Sequence, residues 1–163
     1  MPRDIKRILY ATDLSYNSVN AFDYAVNLAI KFDAEITILH VMDEIVGTSL
    51  NMVSLYLPEA QMEENLQKKR ARIREEIKDH LNGLIDRKAA DNPEIANRIK
   101  SIEICKGYPA EEIIKKVDDF HCDVIVMGTH GKGIVSQAFF GSVAKKVLRR
   151  IRKPVFIVPL PKE

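Results

Sequence analysis

Cysteine is scarce in this chain, with two in 163 residues, Cys105 and Cys122. They show no CxxC spacing, and both fall at or beside expected strands. Buried, reduced thiols in a cytoplasmic protein are the expected state, with a disulfide between them as the alternative. Long apolar runs are absent too. None approaches the ~18 residues that suggest a membrane-spanning helix, so no membrane partner is expected. Met1-Pro2-Arg3-Asp4 leads directly into a strand pattern without the character of a signal peptide. Charge of one sign is lacking as well: the net charge of +2 is too small to argue for a nucleic-acid partner. There is no internal repeat and no low-complexity segment.

What is present is ordinary globular composition, 46% hydrophobic and 29% charged. At this length it fits one domain spanning 1–163 with room for a sizeable core. Lys6 to about Thr12 reads as a first strand. Asp13-Leu14-Ser15 is a turn whose Ser15 suits a helix N-cap. Val19, Phe22, Ala25, Val26 and Ala29 then recur at helical spacing, and Asp33 closes that helix. Glu35 to Met42 is a second strand, so the first three elements form a βαβ unit with parallel strands. Asp43 to Leu57 is apolar without periodicity. It either covers a site or meets a partner, or it is a plain connector.

Pro58 suits the start of a helix, and Met62, Leu66, Ile73, Ile77, Leu81, Leu84 and Ile85 mark its apolar stripe. Its basic residues, including Lys68, Lys69, Arg70, Arg72 and Arg74, interleave with Glu63, Glu64, Glu75 and Glu76. That pattern predicts a solvated face with i,i+4 pairs. Asp91-Asn92-Pro93 ends the region. Ile99 to Cys105 is a third strand, and Pro109 begins a helix with Ile113, Ile114 and Val117 inward. Asp123 enters a fourth strand, a helix starts near Gly141-Ser142, and Pro154 to Pro159 is a fifth strand. Repeated βα units with near-continuous apolar strands imply an α/β fold: an open, parallel five-stranded sheet with helices on both faces, Rossmann-like.

The chemistry gathers between Val124 and Val143. A short apolar run ends in Gly128-Thr129-His130-Gly131-Lys132-Gly133, and Gly141-Ser142 then opens a helix. Bare backbone N–H groups and a helix N-terminus suit an anion such as phosphate. Two common phosphate motifs fail here. A P-loop needs glycine where Val126 stands and Ser or Thr where Gly133 stands. The dinucleotide fingerprint needs a third glycine or alanine where Ser136 stands. What is left is Gly128-x-x-Gly131, nine residues, then Gly141-Ser142. If the strand order is 3-2-1-4-5, the order reverses between strands one and four. The ends of strands one, two and four then converge on one crevice.

That glycine spacing resembles the ATP-binding signature of the universal stress protein family. Ala11-Thr12-Asp13-Leu14-Ser15, His40-Val41 and Pro154-Val155 extend the resemblance to nearly the whole chain. It implies the ATP-binding branch, an adenine nucleotide α-hydrolase-like fold and a nucleotide-dependent regulatory role in stress response. It also implies that Val41 contacts adenine through its backbone and that Ala11, Thr12 and Asp13 line the adenosine side. Met127 and Gly128 would flank the ribose. Gly131, Gly141, Ser142 and Val143 would hold the phosphates, with Mg²⁺ or Mn²⁺ bridging phosphate oxygens.

Each residue has a plainer role to set beside these. The glycines, Gly133 included, suit a turn, Asp13 suits a turn acceptor, and His130 either touches phosphate or is solvated. His40 at a strand end is expected to be structural, and Cys105 has no base partner. No P-loop lysine or arginine finger is evident, so ATP hydrolysis is expected to be slow at most. A dedicated metal-dependent hydrolase is the alternative. A phosphoacceptor receiver domain, with Asp13 as acceptor, finds support only in Lys162. The apolar fifth strand, Val155 to Val158, sits at a sheet edge and predicts a homodimer through that strand; the family resemblance implies the same.

Overall fold

Side chains alternate between two apolar clusters along the strands, and this alternation builds the fold. In β1 (Arg7–Ala11), Ile8 and Tyr10 enter one cluster while Leu9 and Ala11 enter the other. In β4 (Val124–Gly128), Val124 and Val126 divide from Ile125 and Met127 in the same way. The computed structural model describes residues 4–43, 58–130 and 140–161. Most of the apolar 43–57 stretch, together with Gly131, Lys132, Gly133 and Lys162, lies outside the described residues.

Between β1 and β2 (Glu35–Asp43) runs α1 (Tyr16–Phe32). Ser15 caps it by accepting the Ser18 N–H, and Asp33 ends it in the left-handed conformation with its N–H on the Ala29 and Ile30 carbonyls. The long α2 (Glu59–Asp91) follows the undescribed stretch. Next come α3 (Glu94–Arg98), β3 (Ile99–Gly107) and α4 (Pro109–Asp119). After β4 the chain forms α5 (Ser142–Arg150) and β5 (Val155–Val158).

The sheet order is β3-β2-β1-β4-β5, and all four pairings are parallel. This is the expected order and architecture. The cluster on one face joins Tyr10, Phe22, Ile36 and Ile38 to Leu81, Leu84 and Ile85 of α2. The cluster on the other face joins Leu9, Leu39 and Ile125 to Ile113 and Val117 of α4 and Val147 of α5. Burying each such side chain stabilises the fold by roughly 1.5–3 kcal/mol. At the foot of the sheet, the Asp123 carboxylate accepts the Lys6 and Arg7 N–H groups, each at 2.9 Å.

Two elements differ from expectation. The helix α3 stands where only a connection was expected. Asn92 Oδ1 accepts the Glu94 N–H at 3.1 Å, and Ile95 is buried against the core, so one buried side chain holds a five-residue helix. The third strand also runs two residues past Cys105, because Lys106 and Gly107 keep register with Met42 and Asp43.

Candidate functional site

The strand order reverses between β1 and β4, and the chain leaves the sheet there at Thr12 and Thr129. Both exits are tied down by backbone bonds. The Thr12 N–H donates to the Leu39 carbonyl at 2.9 Å, and the Thr129 N–H donates to the Val158 carbonyl at 3.0 Å. Beyond them lies a cavity of about 590 Å³, a volume suited to a small organic ligand. Ala11, Thr12, Asp13, Val41, Met127, Gly128, His130, Gly141, Ser142 and Val143 all line it. Ten residues named from the sequence are thus brought together; Gly131 and Gly133 lie outside the described residues.

One wall is the start of α5. Gly141 is the N-cap and offers no side-chain acceptor, and its own N–H is spent on the Thr129 carbonyl at 2.7 Å. The first intrahelical bond runs from the Lys145 N–H to the Gly141 carbonyl at 3.0 Å. The N–H groups of Ser142, Val143 and Ala144 precede that bond and have no partner within the helix. Their partial positive charge adds to the dipole at this end.

Beside it stands His130, only 7% exposed. Its Nδ1 lies 2.6 Å from Thr129 Oγ1, while its Nε2 is buried and has no partner among the described residues. The solvated placement considered for His130 therefore does not occur. His130 lines the cavity, with this unpartnered ring nitrogen set in the wall and almost without exposed surface.

The opposite rim is a hydrogen-bonded turn. Thr12 Oγ1 accepts the Leu14 N–H at 3.0 Å and meets Ser18 Oγ at 2.9 Å. Asp13 Oδ1 accepts the Ser15 N–H at 3.0 Å, which confirms its turn role. Leu14 is held at a φ of 66°, a strained value for a leucine. The Thr12 carbonyl meets His40 Nδ1 at 2.8 Å, so His40 braces this turn from β2. Beneath it, the buried Tyr10 hydroxyl donates to the Ser18 carbonyl at 2.6 Å, and burial pushes its phenol well above the ordinary range. Burial likewise raises both thiols, Cys122 to about 11, so neither is a thiolate at neutral pH.

Several contributors were not anticipated. Asn17, buried in the first turn of α1, donates from Nδ2 to the His130 carbonyl at 3.0 Å and so fixes the start of the glycine loop. It also accounts for Gly128: a Cβ there would lie 2.5 Å from Asn17 Nδ2. That glycine is needed for helix packing whatever else it does. Lys69, Arg70, Ile73 and Ile77 of α2 also line the cavity. Two polar residues following Asp13-Leu14-Ser15 in the first turn of α1 were the available signal for Asn17 and Ser18. Among the described residues, no cluster of three His, Cys, Asp or Glu could hold a metal, and no helix is long and apolar enough to cross a membrane.

Universal stress protein MJ0577 of Methanocaldococcus jannaschii is 28% identical over 153 residues, covering 94% of each chain. The solved structure of MJ0577 superposes with a TM-score of 0.77 and covers 99% of this chain and 100% of that one. Universal stress protein YxiE of Bacillus subtilis is 33% identical over 156 residues, covering 93% of this chain and 97% of its own. A universal stress protein solved in complex with cAMP shares the fold at a TM-score of 0.57 and 21% identity, covering 96% of this chain and 98% of that one. The profile of the Universal stress protein family matches residues 4–159. On that match, and with the sheet order and carboxyl-end crevice described above, this chain belongs to the universal stress protein family.

Proposed function

We propose that the chain is an ATP-binding member of this family, a cytoplasmic, single-domain module whose partner surface responds to bound nucleotide in a stress response. One observation carries the reading. The uncapped first turn of α5 and His130 line one cavity. Such groups favour an anionic ligand, and the apolar walls around Val41, Ile73 and Ile113 favour a flat organic group.

The residues present fit a nucleotide. Val41 at the end of β2 would meet adenine through its backbone, and Met127 and Gly128 would flank the ribose. Gly131, Gly133, Gly141, Ser142 and Val143 would hold the phosphates, and Ala11, Thr12 and Asp13 would line the adenosine side. When bound, Mg²⁺ or Mn²⁺ would supply charge neutralisation along the phosphate tail, with phosphate oxygens and water as its ligands. Asp13 already holds a backbone N–H, which suits it poorly as a free base. Hydrolysis is therefore slow at most.

Isothermal titration with ATP and Mg²⁺, together with a steady-state ATPase assay, tests the reading. Saturable ATP binding with slow turnover is expected. No ATP binding would refute the site, and turnover of many per second, lost in Asp13→Ala, would refute the regulatory role. Assembly belongs to the same proposal. The four-residue β5 lies at a sheet edge and exposes 39% of Phe156, and an antiparallel meeting with its symmetry mate would cover that edge.

A further inference from the structure

The basic residues of α2 do not all behave as one solvated face. Lys68 pairs with Glu64 at 2.9 Å and Arg72 with Glu76 at 3.4 Å, both at i,i+4 spacing. Lys69 and Arg70 have no such option. Three and four residues away from them stand Asn65, Leu66, Gln67, Arg72, Ile73 and Arg74, with no carboxylate among them. Neither residue has an ion-pair partner among the described residues, and both line the cavity. Their position is anchored: Ile77 packs against the core, and Leu81, Leu84 and Ile85 are buried in it. Arg70 stands eleven residues before Leu81, so the helix carries the two cations about 16 Å from that first buried anchor.

The charge balance of the cavity decides their importance. Among the described residues lining it, Lys69, Arg70 and Lys106 stand with Asp13 and Asp43, three cations against two carboxylates. Without α2 the balance would be one cation against two carboxylates, a poor lining for a polyanion. Adjacent cations without counter-ions repel one another, and a multiply charged ligand relieves that repulsion.

We propose that Lys69 and Arg70 are specificity-determining residues of the cavity, selecting nucleotides by the charge of the phosphate tail and favouring nucleoside triphosphate over monophosphate. This rests on the adenine-nucleotide reading above. The two side chains act as charges on the rim, while Ile73 and Ile77, one and two turns further on, supply apolar wall.

The test is titration of the full-length chain with ATP, ADP, AMP and adenosine at fixed ionic strength, repeated with Lys69→Gln/Arg70→Gln. Glutamine keeps helix propensity, so the urea midpoint should not move. The expected result is at least a tenfold loss of ATP affinity, a smaller loss for AMP and no change for adenosine. A second series of ATP titrations at increasing salt should show a shallower salt dependence for the double variant. Lys69→Arg/Arg70→Lys, which keeps both charges, should retain the original order of affinities. Equal loss for all four ligands would show a merely structural role, and unchanged ATP affinity would show two solvated cations; either overturns the proposal alone. Failure of the unaltered chain to bind any of the four would overturn the nucleotide reading with it.

Discussion

Gly128→Ala is the substitution for which the structure allows the most definite expectation. The new Cβ would lie 2.5 Å from Asn17 Nδ2, closer than a Cβ is found, and 3.2 Å from Asn17 Cγ, a tight contact. Asn17 cannot yield freely. It is buried, and its Nδ2 holds the His130 carbonyl at 3.0 Å. Turning the amide over would set two acceptors against each other. Either the backbone shifts, at the ~1–3 kcal/mol typical of overpacking, or the buried bond breaks, at about 1–3 kcal/mol. The cheaper route sets the outcome, so the expected loss is about 1–3 kcal/mol. Urea denaturation measures it directly, and the melting temperature should fall by about 2–12 °C for a domain of this size. Asn17→Ala removes the obstacle, so Gly128→Ala should cost little in that background, and the cycle should show a coupling of ~1–3 kcal/mol. Strict additivity, or a Gly128→Ala protein as stable as the original, would refute the packing argument and leave ligand approach as the reason for this glycine.

Three further outcomes are expected. Burial raises the Tyr10 phenol above its unfolded value of 10.0, so its contribution to stability is whole below that pH and is lost above it as the unfolded chain ionises. Stability should fall by up to ~1.4 kcal/mol per pH unit above pH 10. Tyr10→Phe should remove that part of the slope in alkaline urea titrations, and an unchanged slope would refute it. Asp123→Ala strips the acceptor from the Lys6 and Arg7 N–H groups and should cost about 1–3 kcal/mol by thermal unfolding, most of it restored by Asp123→Asn. If the proposed dimer forms through β5, Phe156→Glu should yield monomers by sedimentation velocity at micromolar concentration without loss of the folded spectrum; a monomeric unaltered chain would refute the dimer.

The elements that pattern alone made legible are those whose signal is local. Ile8, Leu9 and Tyr10, Ile36 and Ile38, and Val124 to Met127 are apolar runs that only a strand buried on both faces accommodates. The apolar spacing of α1 marks its inner face, Ser15 marks its start, and Gly141-Ser142 marks the start of α5. Strand order does not follow from these elements: 3-2-1-4-5 is an assumption, which the observed pairing of the strands bears out. The short α3 escaped because one buried isoleucine holds it, too little to leave a periodic trace.

Tertiary structure decided what depends on residues distant in sequence. Asn17 meets the His130 carbonyl across 113 positions, and His40 meets the Thr12 carbonyl across 28; neither pattern announces its partner. The packing reason for Gly128 is likewise a property of α1 lying against β4, invisible in the glycine spacing. The basic stripe of α2 looks uniform along the chain, yet neighbours three and four positions away already set Lys69 and Arg70 apart from Lys68 and Arg72. That the first two line the cavity shows only when the helix is laid over the sheet, because a cavity needs walls from several elements at once.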